Sequence, residues 1–360
     1  MKLYYLAAVF VVVVAFVLSV PILNSSKDDF STYNTEWNGC SSLKENTKQN
    51  YSVADVFSLA DSLKDKDRGV VVLLNPNKSV SVADNDITAL QHFVHNGGSL
   101  LLANDFGNGN EVLDKLGVGT AVRFNMSLLY DDSNNWSIPE CPIISSFSPS
   151  NFTNGIETVC YNYGTVLDVK DNAVTILGKS SASSYINVTG QSGMIQKGEK
   201  PVFAYLDYGK GKIVLLTDPS VFINSMHMGD NQKLFNNIIA TLIGRDKGDK
   251  NAQVLFDESH RGTQPLWSAV YEKIHADDTI KYALVLLSIS LFVAMLNVGR
   301  LQTKRKERPT VSLVNIGINE DIIIDDIVKR NPGWAKARIK KLAQQLKTRN
   351  RRKRENDDNR

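Results

Sequence analysis

Two uncharged apolar runs bracket this chain, and they constrain its fold more than any motif does. Leu3–Leu23 carries no charge in 21 residues, and Tyr282–Gly299 carries none in 18. At about 1.5 Å of rise per residue, each run matches a hydrocarbon core of about 30 Å. A backbone inside lipid must satisfy its own hydrogen bonds, so runs of this kind fold as helices. Arg300, Lys304, Arg305, Lys306 and Arg308 follow the second run directly, and such a cluster stays in the cytoplasm. The expectation is a two-pass protein of the cell membrane. It has transmembrane helices at 3–23 and 282–299, cytoplasmic termini and an extracytoplasmic domain over 30–262. The first run exceeds the ~7–15 residues of a signal-peptide core and lacks a small-x-small cleavage site, so it reads as an anchor.

Charge divides in the same places. Residues 300–360 hold 18 Lys/Arg against 8 Asp/Glu, a net +10, whereas residues 1–299 net −7. An acidic central domain argues against a nucleic-acid partner. The basic tail suits anionic lipid headgroups, each nearby cation contributing ~1 kcal/mol, or serves only to fix topology. Within it, Ala335, Ile339, Leu342 and Leu346 share one face among Lys336, Arg338, Lys340, Lys341 and Lys347. This predicts an amphipathic helix at about 333–348, for a membrane surface, a partner groove or a small bundle. Lys347–Arg360 reads as a charged, disordered end.

Seven glycosylation sequons, at Asn24, Asn50, Asn77, Asn125, Asn135, Asn151 and Asn187, all fall between the apolar runs. So do all three cysteines. An oxidising compartment permits a bridge, and Cys141 with Cys160 would close a short loop, a stabilisation of ~2–4 kcal/mol. Two buried free thiols are the alternative. Cys40, just ahead of a weak helix at Ser41–Gln49, reads as a small packed residue.

The central segment alternates strand and helix signals. Gly69–Leu74 and Ser99–Ala103 are continuous apolar runs, as for strands buried on both faces. Between them Ser81-x-x-Asp84 resembles a capping box. Ile87, Leu90, Phe93 and Val94 follow at helical spacing, and Gly97-Gly98 stops that helix. Glu111–Leu116 reads as a short helix. Pro201–Tyr208 and Lys212–Leu216 flank Gly209-Lys-Gly211, a hairpin signal. Asn231 stands where a cap would precede Leu234, Phe235, Ile238 and Ile239, and Gln253–Phe256 is a last strand. The predicted class is α/β, a mostly parallel sheet flanked by helices. An irregular, β-rich insertion at about 118–163 interrupts it.

Four of these strands end in polar residues: Asn75; Asn104, Asp105 and Asn110; Asp218 and Asn224; Asp257, Glu258 and His260. Ligands of open parallel sheets bind outside the carboxyl ends of the strands. If the four strands are parallel neighbours, these side chains share one rim. Asp105, Asp218 and Asp257 would there hold a hard cation or act as acid and base. The alternative is structural, because Asp and Asn after strands cap helices and accept from turn amides. No G-x-S-x-G elbow, P-loop, HExxH or CxxC is present, and no cofactor is implied.

An ordered set of these residues resembles a known family. It comprises Tyr33-Asn34 with Gly39, Phe93-Val-x-x-Gly97-Gly98, and Leu101-Leu-Ala-Asn-Asp105-Phe-Gly-x-Gly-Asn110. It continues with Gly211-Lys-Ile-Val, Asp218-Pro-Ser-x-Phe-x-Asn224, Asp230-Asn231 and Phe256-Asp257-Glu258-x-His260. The set is similar to the domain of unknown function 4350 family, membrane-anchored ectodomains of archaea and bacteria. This resemblance implies a fold like class I glutamine amidotransferases, of the flavodoxin-like kind. It also implies a genomic neighbourhood with MoxR-type AAA+ ATPases, von Willebrand-A-like and transglutaminase-like proteins. The amidotransferase nucleophile is a Cys after a strand, and the Asp105-Phe-Gly region carries none. The family often shows aromatic-His-His where this chain has Ser259-His260-Arg261.

Three functions are compatible with these features. One is a non-catalytic binding or scaffold protein that couples an outer ligand or protein to a cytoplasmic partner such as an AAA+ system. The second is a surface hydrolase of glycan or peptide that uses strand-end carboxylates. The third is a structural part of the cell envelope.

Overall fold

The computed structural model describes residues 26–187, 195–244, 253–262 and 320–357. Two compact units divide at residues 289 and 290. The first is built on a sheet of eight strands: β1 Ser52–Val56, β2 Gly69–Leu74, β3 Ser99–Ala103, β4 Ser146–Phe147, β5 Thr175–Lys179, β6 Pro201–Tyr208, β7 Gly211–Leu216 and β8 Gln253–Asp257. Their spatial order is β1-β8-β2-β3-β7-β6-β5-β4. The first five are parallel to one another, and the last three are added antiparallel. The chain is thus mixed α/β with a large, mostly parallel sheet. The rim condition is met, since β8, β2, β3 and β7 are consecutive parallel neighbours.

Alternation within these strands supplies two cores. Val70, Val72, Leu74, Val254 and Phe256 face one side, with Leu234, Phe235, Ile238 and Ile239 of α5 (Asn231–Ile243). Val71, Leu73, Leu100, Leu102 and Leu255 face the other. There they meet the short α2 (Leu59–Ser62), α3 (Asp84–Asn96) and α4 (Gly109–Lys115). Every residue of β2 and β3 is buried. Each fully buried Val, Leu or Phe side chain contributes about 1.5–3 kcal/mol, which is why runs without polar positions form the centre of the sheet. Gly97 ends α3 at φ 132°, a conformation open to glycine. Gly98 must also be bare, since a Cβ there would meet the Phe93 ring at 2.4 Å.

The caps differ from the sequence expectation in two places. Helix α3 starts at Asp84, so Ser81 lies outside the first turn and donates to Glu111 Oε1 at 2.9 Å instead. Asn231 is the first helical residue and not a cap. Its amide spans Cys160, accepting from N at 2.9 Å and donating to O at 3.1 Å, and so pins the insertion to α5. The insertion is also larger than 118–163. Strand 122–124 pairs with 167–169 and strand 129–130 with 185–187, while β4 extends the main sheet.

The second unit contains α6 (Glu320–Arg330) and α7 (Lys336–Asp357). Lys340 pairs with Asp321 at 3.0 Å, and Lys336 pairs with Asp325. Helix α7 overlaps the expected 333–348 but starts at Lys336 and runs on to Asp357 through the stretch expected to be disordered. Among the described residues no helix is long and apolar enough to cross a membrane. The runs 3–23 and 282–299 lie outside the described residues, as do Asn24 and the basic cluster 300–308.

Candidate ligand cleft at the strand ends

Most of the rim side chains are committed to the fold. Asp218, fully buried after β7, accepts from Ser220 N at 2.8 Å and from Asn162 N at 2.5 Å. It caps the 3₁₀ turn Pro219–Phe222. Asn110 accepts from Phe124 N and donates to Phe124 O, both at 2.9 Å. Asn224 accepts from Ser42 N at 2.9 Å and donates to Glu36 O at 2.7 Å. It thereby caps α1 (Ser41–Lys48), whose own N-cap, Cys40, makes no side-chain capping bond. Glu258 accepts from Thr32 N at 2.6 Å and from the hydroxyls of Thr32 and Ser31, each at 2.8 Å. These bonds hold the segment before α1 across the strand ends.

Asp257, the last residue of β8, accepts from Ser259 Oγ and approaches His260 Nδ1 at 3.0 Å. Burial opposes its charge, but the neighbouring imidazolium, the Ser259 hydroxyl and the Arg261 guanidinium hold its carboxyl below the usual range. His260 moves the other way. Burial would lower it, and the Asp257 charge and hydrogen bond raise it. Asp257 and Ser259 both address Nδ1, so the three residues form a closed turn.

Asp105 and Asp218 flank the place where the sheet changes direction. From β3 the chain passes to α4 on one face, and from β7 to α5 on the other, the arrangement that opens a crevice. Here the insertion fills it. Asn162 N donates to Asp218, and Gly164 sits so close that a Cβ would lie 2.8 Å from Asp218 Cβ. Burial raises the Asp218 carboxyl to about 8 against its amide donors, with the Asp105 charge adding to the rise. Burial likewise raises Asp105 to about 6, opposed by the Phe106 N–H, the Asn75 side chain and the Lys78 charge.

An open cleft of about 440 Å³ lies one strand over, at the ends of β8, β2 and β3. Its walls are Asn75–Lys78 after β2, Phe106 and Gly107 after β3, Arg261 and Gly262 after β8, and Lys27–Phe30. Behind these walls three polar atoms are fully buried, shielded from the cleft, without a hydrogen-bond partner: Asn75 Oδ1, Asn104 Nδ2 and Arg261 Nε. Arg261 is 6% exposed. It donates to Leu74 O at 2.6 Å and to Asp257 O at 3.2 Å, while its Nε stands 3.8 Å from Glu258. Asn75 holds φ 45°, a conformation that Asn tolerates better than most residues. Gly107 passes so close that a Cβ would lie 2.3 Å from Asn75 Oδ1.

The residues expected on the rim therefore divide by their surroundings. Of these residues Asn75 lines the cleft, and Asn104 and Asp105 are buried after the adjoining strand; Asn110, Asp218, Asn224, Asp257, Glu258 and His260 bond within the fold. Among the described residues no three His, Cys, Asp or Glu side chains gather to hold a metal ion, which removes Asp105, Asp218 and Asp257 as a cation set. Arg261, Lys78 and Lys27 were missed. Only the position of Arg261, four residues after the last buried strand residue, could have flagged it.

For the cysteines the free-thiol alternative is the one that holds. All three are free and buried. Cys141 Sγ turns to Asn162 Oδ1 at 3.6 Å, whereas Cys160 lies in the core against Gly229. Cys40 Sγ faces Phe222 O, and burial lifts its thiol to about 12. Of the described sequons, Asn50, Asn151 and Asn187 are exposed. The Asn125 amide donates to Asp168 and the Asn135 amide to Asp131 O. Asn77 Oδ1 accepts from Ser79 N.

A model of the family described as Domain of unknown function (DUF4350) matches residues 32–239. No curated protein matches. Among solved structures, the mmIFT52 N-terminal domain is 16% identical, with a TM-score of 0.47, over 61% of this chain and 95% of that one. A cytoplasmic protein from Salmonella typhimurium is 15% identical, with a TM-score of 0.32, over 52% and 76%. An exo-β-1,4-mannosidase from Opitutaceae bacterium strain TAV5 is 9% identical, with a TM-score of 0.26, over 51% and 24%.

Proposed function

This chain belongs to that family, and on this premise we propose that it is a non-catalytic, membrane-tethered binding protein. Its α/β unit takes a polar ligand in the cleft at the ends of β8, β2 and β3. Its basic tail engages anionic lipid and a cytoplasmic partner, an AAA+ ATPase of the MoxR type being the partner that the family resemblance implies. The amidotransferase-like reading of the sheet belongs to the same proposal.

One observation carries the reading. The carboxylates that a hydrolase would need are occupied by donors of the fold itself, while a neighbouring cleft with polar walls stands open at the strand ends. A general base needs a free oxygen within about 2.6–3.2 Å of the proton it removes. A nucleophilic Cys needs thiolate, and burial opposes that form at Cys40.

The test has two arms. Deleting residues 300–360 abolishes co-purification of the ATPase partner from cells, and unchanged co-purification refutes the coupling. Asp257→Asn lowers the melting temperature, because breaking a buried pair costs roughly 3 kcal/mol.

A second reading rests on the raised carboxyls of Asp105 and Asp218, a pair suited to acid chemistry. It requires a glycan or peptide substrate whose turnover is lost in Asp105→Asn with the melting temperature unchanged.

A further inference from the structure

We propose that the strand-end edge of the α/β unit lies on the lipid surface, with Trp37 and Tyr163 seated among the headgroups. The inference rests on the reading of the two apolar runs as membrane spans, and it names a lipid contact separate from the tail.

Both ends of the unit's chain leave from this edge. Gly262, after β8, is so near the entering chain that a Cβ there would lie 2.8 Å from Asn77 Nδ2 and 4.0 Å from Asp28 Oδ2. Asn77 N donates to His260 O at 3.0 Å, and Glu258 holds Ser31 and Thr32. Entry and exit are therefore clamped side by side. The first apolar run ends at Leu23, three residues before Ser26. Fully extended, such a link spans at most about 11 Å, so a run that crosses the bilayer keeps this edge at its surface.

The exposed apolar side chains fall on the same edge. Among the described residues of this unit, four large ones are exposed: Trp37 at 66%, Tyr163 at 47%, Ile138 at 40% and Ile195 at 51%. Trp37 O accepts from Ser225 N at 3.1 Å, and Glu36 O accepts from Asn224, in the segment that follows β7. Tyr163 adjoins Asn162, whose N–H meets Asp218 at the end of β7, and its own N–H donates to Glu140 O at 3.0 Å. Ile138 shares that loop, its O accepting from Cys141 N at 2.8 Å. Ile195 precedes β6, whose antiparallel pairing with β7, Phe203 opposite Leu216, brings its start to this edge. Scattered exposed apolar residues are ordinary, but a set confined to one edge marks a contact surface. Trp and Tyr suit a lipid interface because each has an apolar body and a polar tip. Charge does not select the partner. Lys27 and Lys78 stand with Asp28 and Asp29 around the cleft, so the contact depends little on anionic lipid or on salt.

The experiment places a fluorophore at Thr35→Cys or Asn50→Cys in the full-length chain, reconstituted in phosphatidylcholine vesicles that contain a headgroup-level quencher lipid. Both positions are exposed, and Asn50, just ahead of β1, marks the opposite edge. The native thiols are buried and stay unlabelled. Five strand residues at about 3.3 Å each separate the edges by about 16 Å, so quenching at position 35 exceeds that at position 50 at least about threefold. Trp37→Ser, at an exposed position, keeps the melting temperature in detergent and lowers the ratio, whereas molar salt leaves it unchanged. A ratio near one in a chain that resists carbonate extraction overturns the docking and leaves the tether standing, a protein or a second copy then covering the edge. A ratio that Trp37→Ser does not change, or that salt abolishes, overturns it as well. Extraction of the chain by carbonate refutes the tether and the docking with it.

Discussion

At the scale of single residues, the buried carboxyls set opposite pH dependences. The Asp105 and Asp218 carboxyls are raised from 3.8 to about 6 and about 8. From about pH 4 upward the folded state therefore holds protons that the unfolded state has released, and stability falls as pH rises through those values. His260 is also raised, so its contribution is present below its ordinary 6.5 and is lost as pH rises past it. Asp257 is depressed, and its contribution is lost only as pH falls below about 4. Together these groups place maximum stability near pH 4–5. A melting temperature that falls between pH 5 and 8.5 checks this, and Asp105→Asn flattens the lower part of the slope. A melting temperature that rises over that range contradicts it. These partners were not legible beforehand. Asp257 and Asp105 look alike in sequence, each following a buried apolar run. What separates them is whether a neighbour three residues on, such as His260, turns back to meet the carboxylate, and that depends on the tertiary path.

At the scale of elements, the strands were readable because burial on both faces leaves no polar position in β2 and β3, and the helix stop at Gly97 because its backbone angle admits little else. The caps were less readable. A cap taken from distant chain has no local signature, and Asn224 supplies α1 with one from 182 residues away. Asn224→Ala removes the acceptor for Ser42 N and the donor to Glu36 O at once, leaving both backbone groups without that partner. We expect a loss of roughly 2 kcal/mol in denaturant unfolding, with Asn224→Asp recovering the acceptor part. A loss below about 0.5 kcal/mol would mean that water replaces the amide fully. The helical continuation of α7 through Arg351–Arg354 was misjudged for the reverse reason. Net charge signals disorder in an isolated segment, whereas a helix already nucleated at Lys336 extends at low cost through Lys and Arg, both good helix formers.

At the scale of the whole molecule, charge asymmetry and the apolar runs lead to one expectation. In intact cells a membrane-impermeant protease cleaves within residues 26–262 and spares an epitope placed at Arg360. Cleavage of the epitope before lysis would reverse the topology and, with it, the proposal that the tail meets cytoplasmic partners. The order of the central strands was half legible. Four strand ends were placed on one rim, but nothing local foretold that a Ser- and Asn-rich excursion would lie down over two of them. That excursion has a consequence of its own. Its tightest approach is at Gly164, where the absent side chain lets the peptide settle onto Asp218. A single methyl there would collide with Tyr161 and Asp218, so in this architecture one hydrogen atom keeps the groove between β3 and β7 sealed.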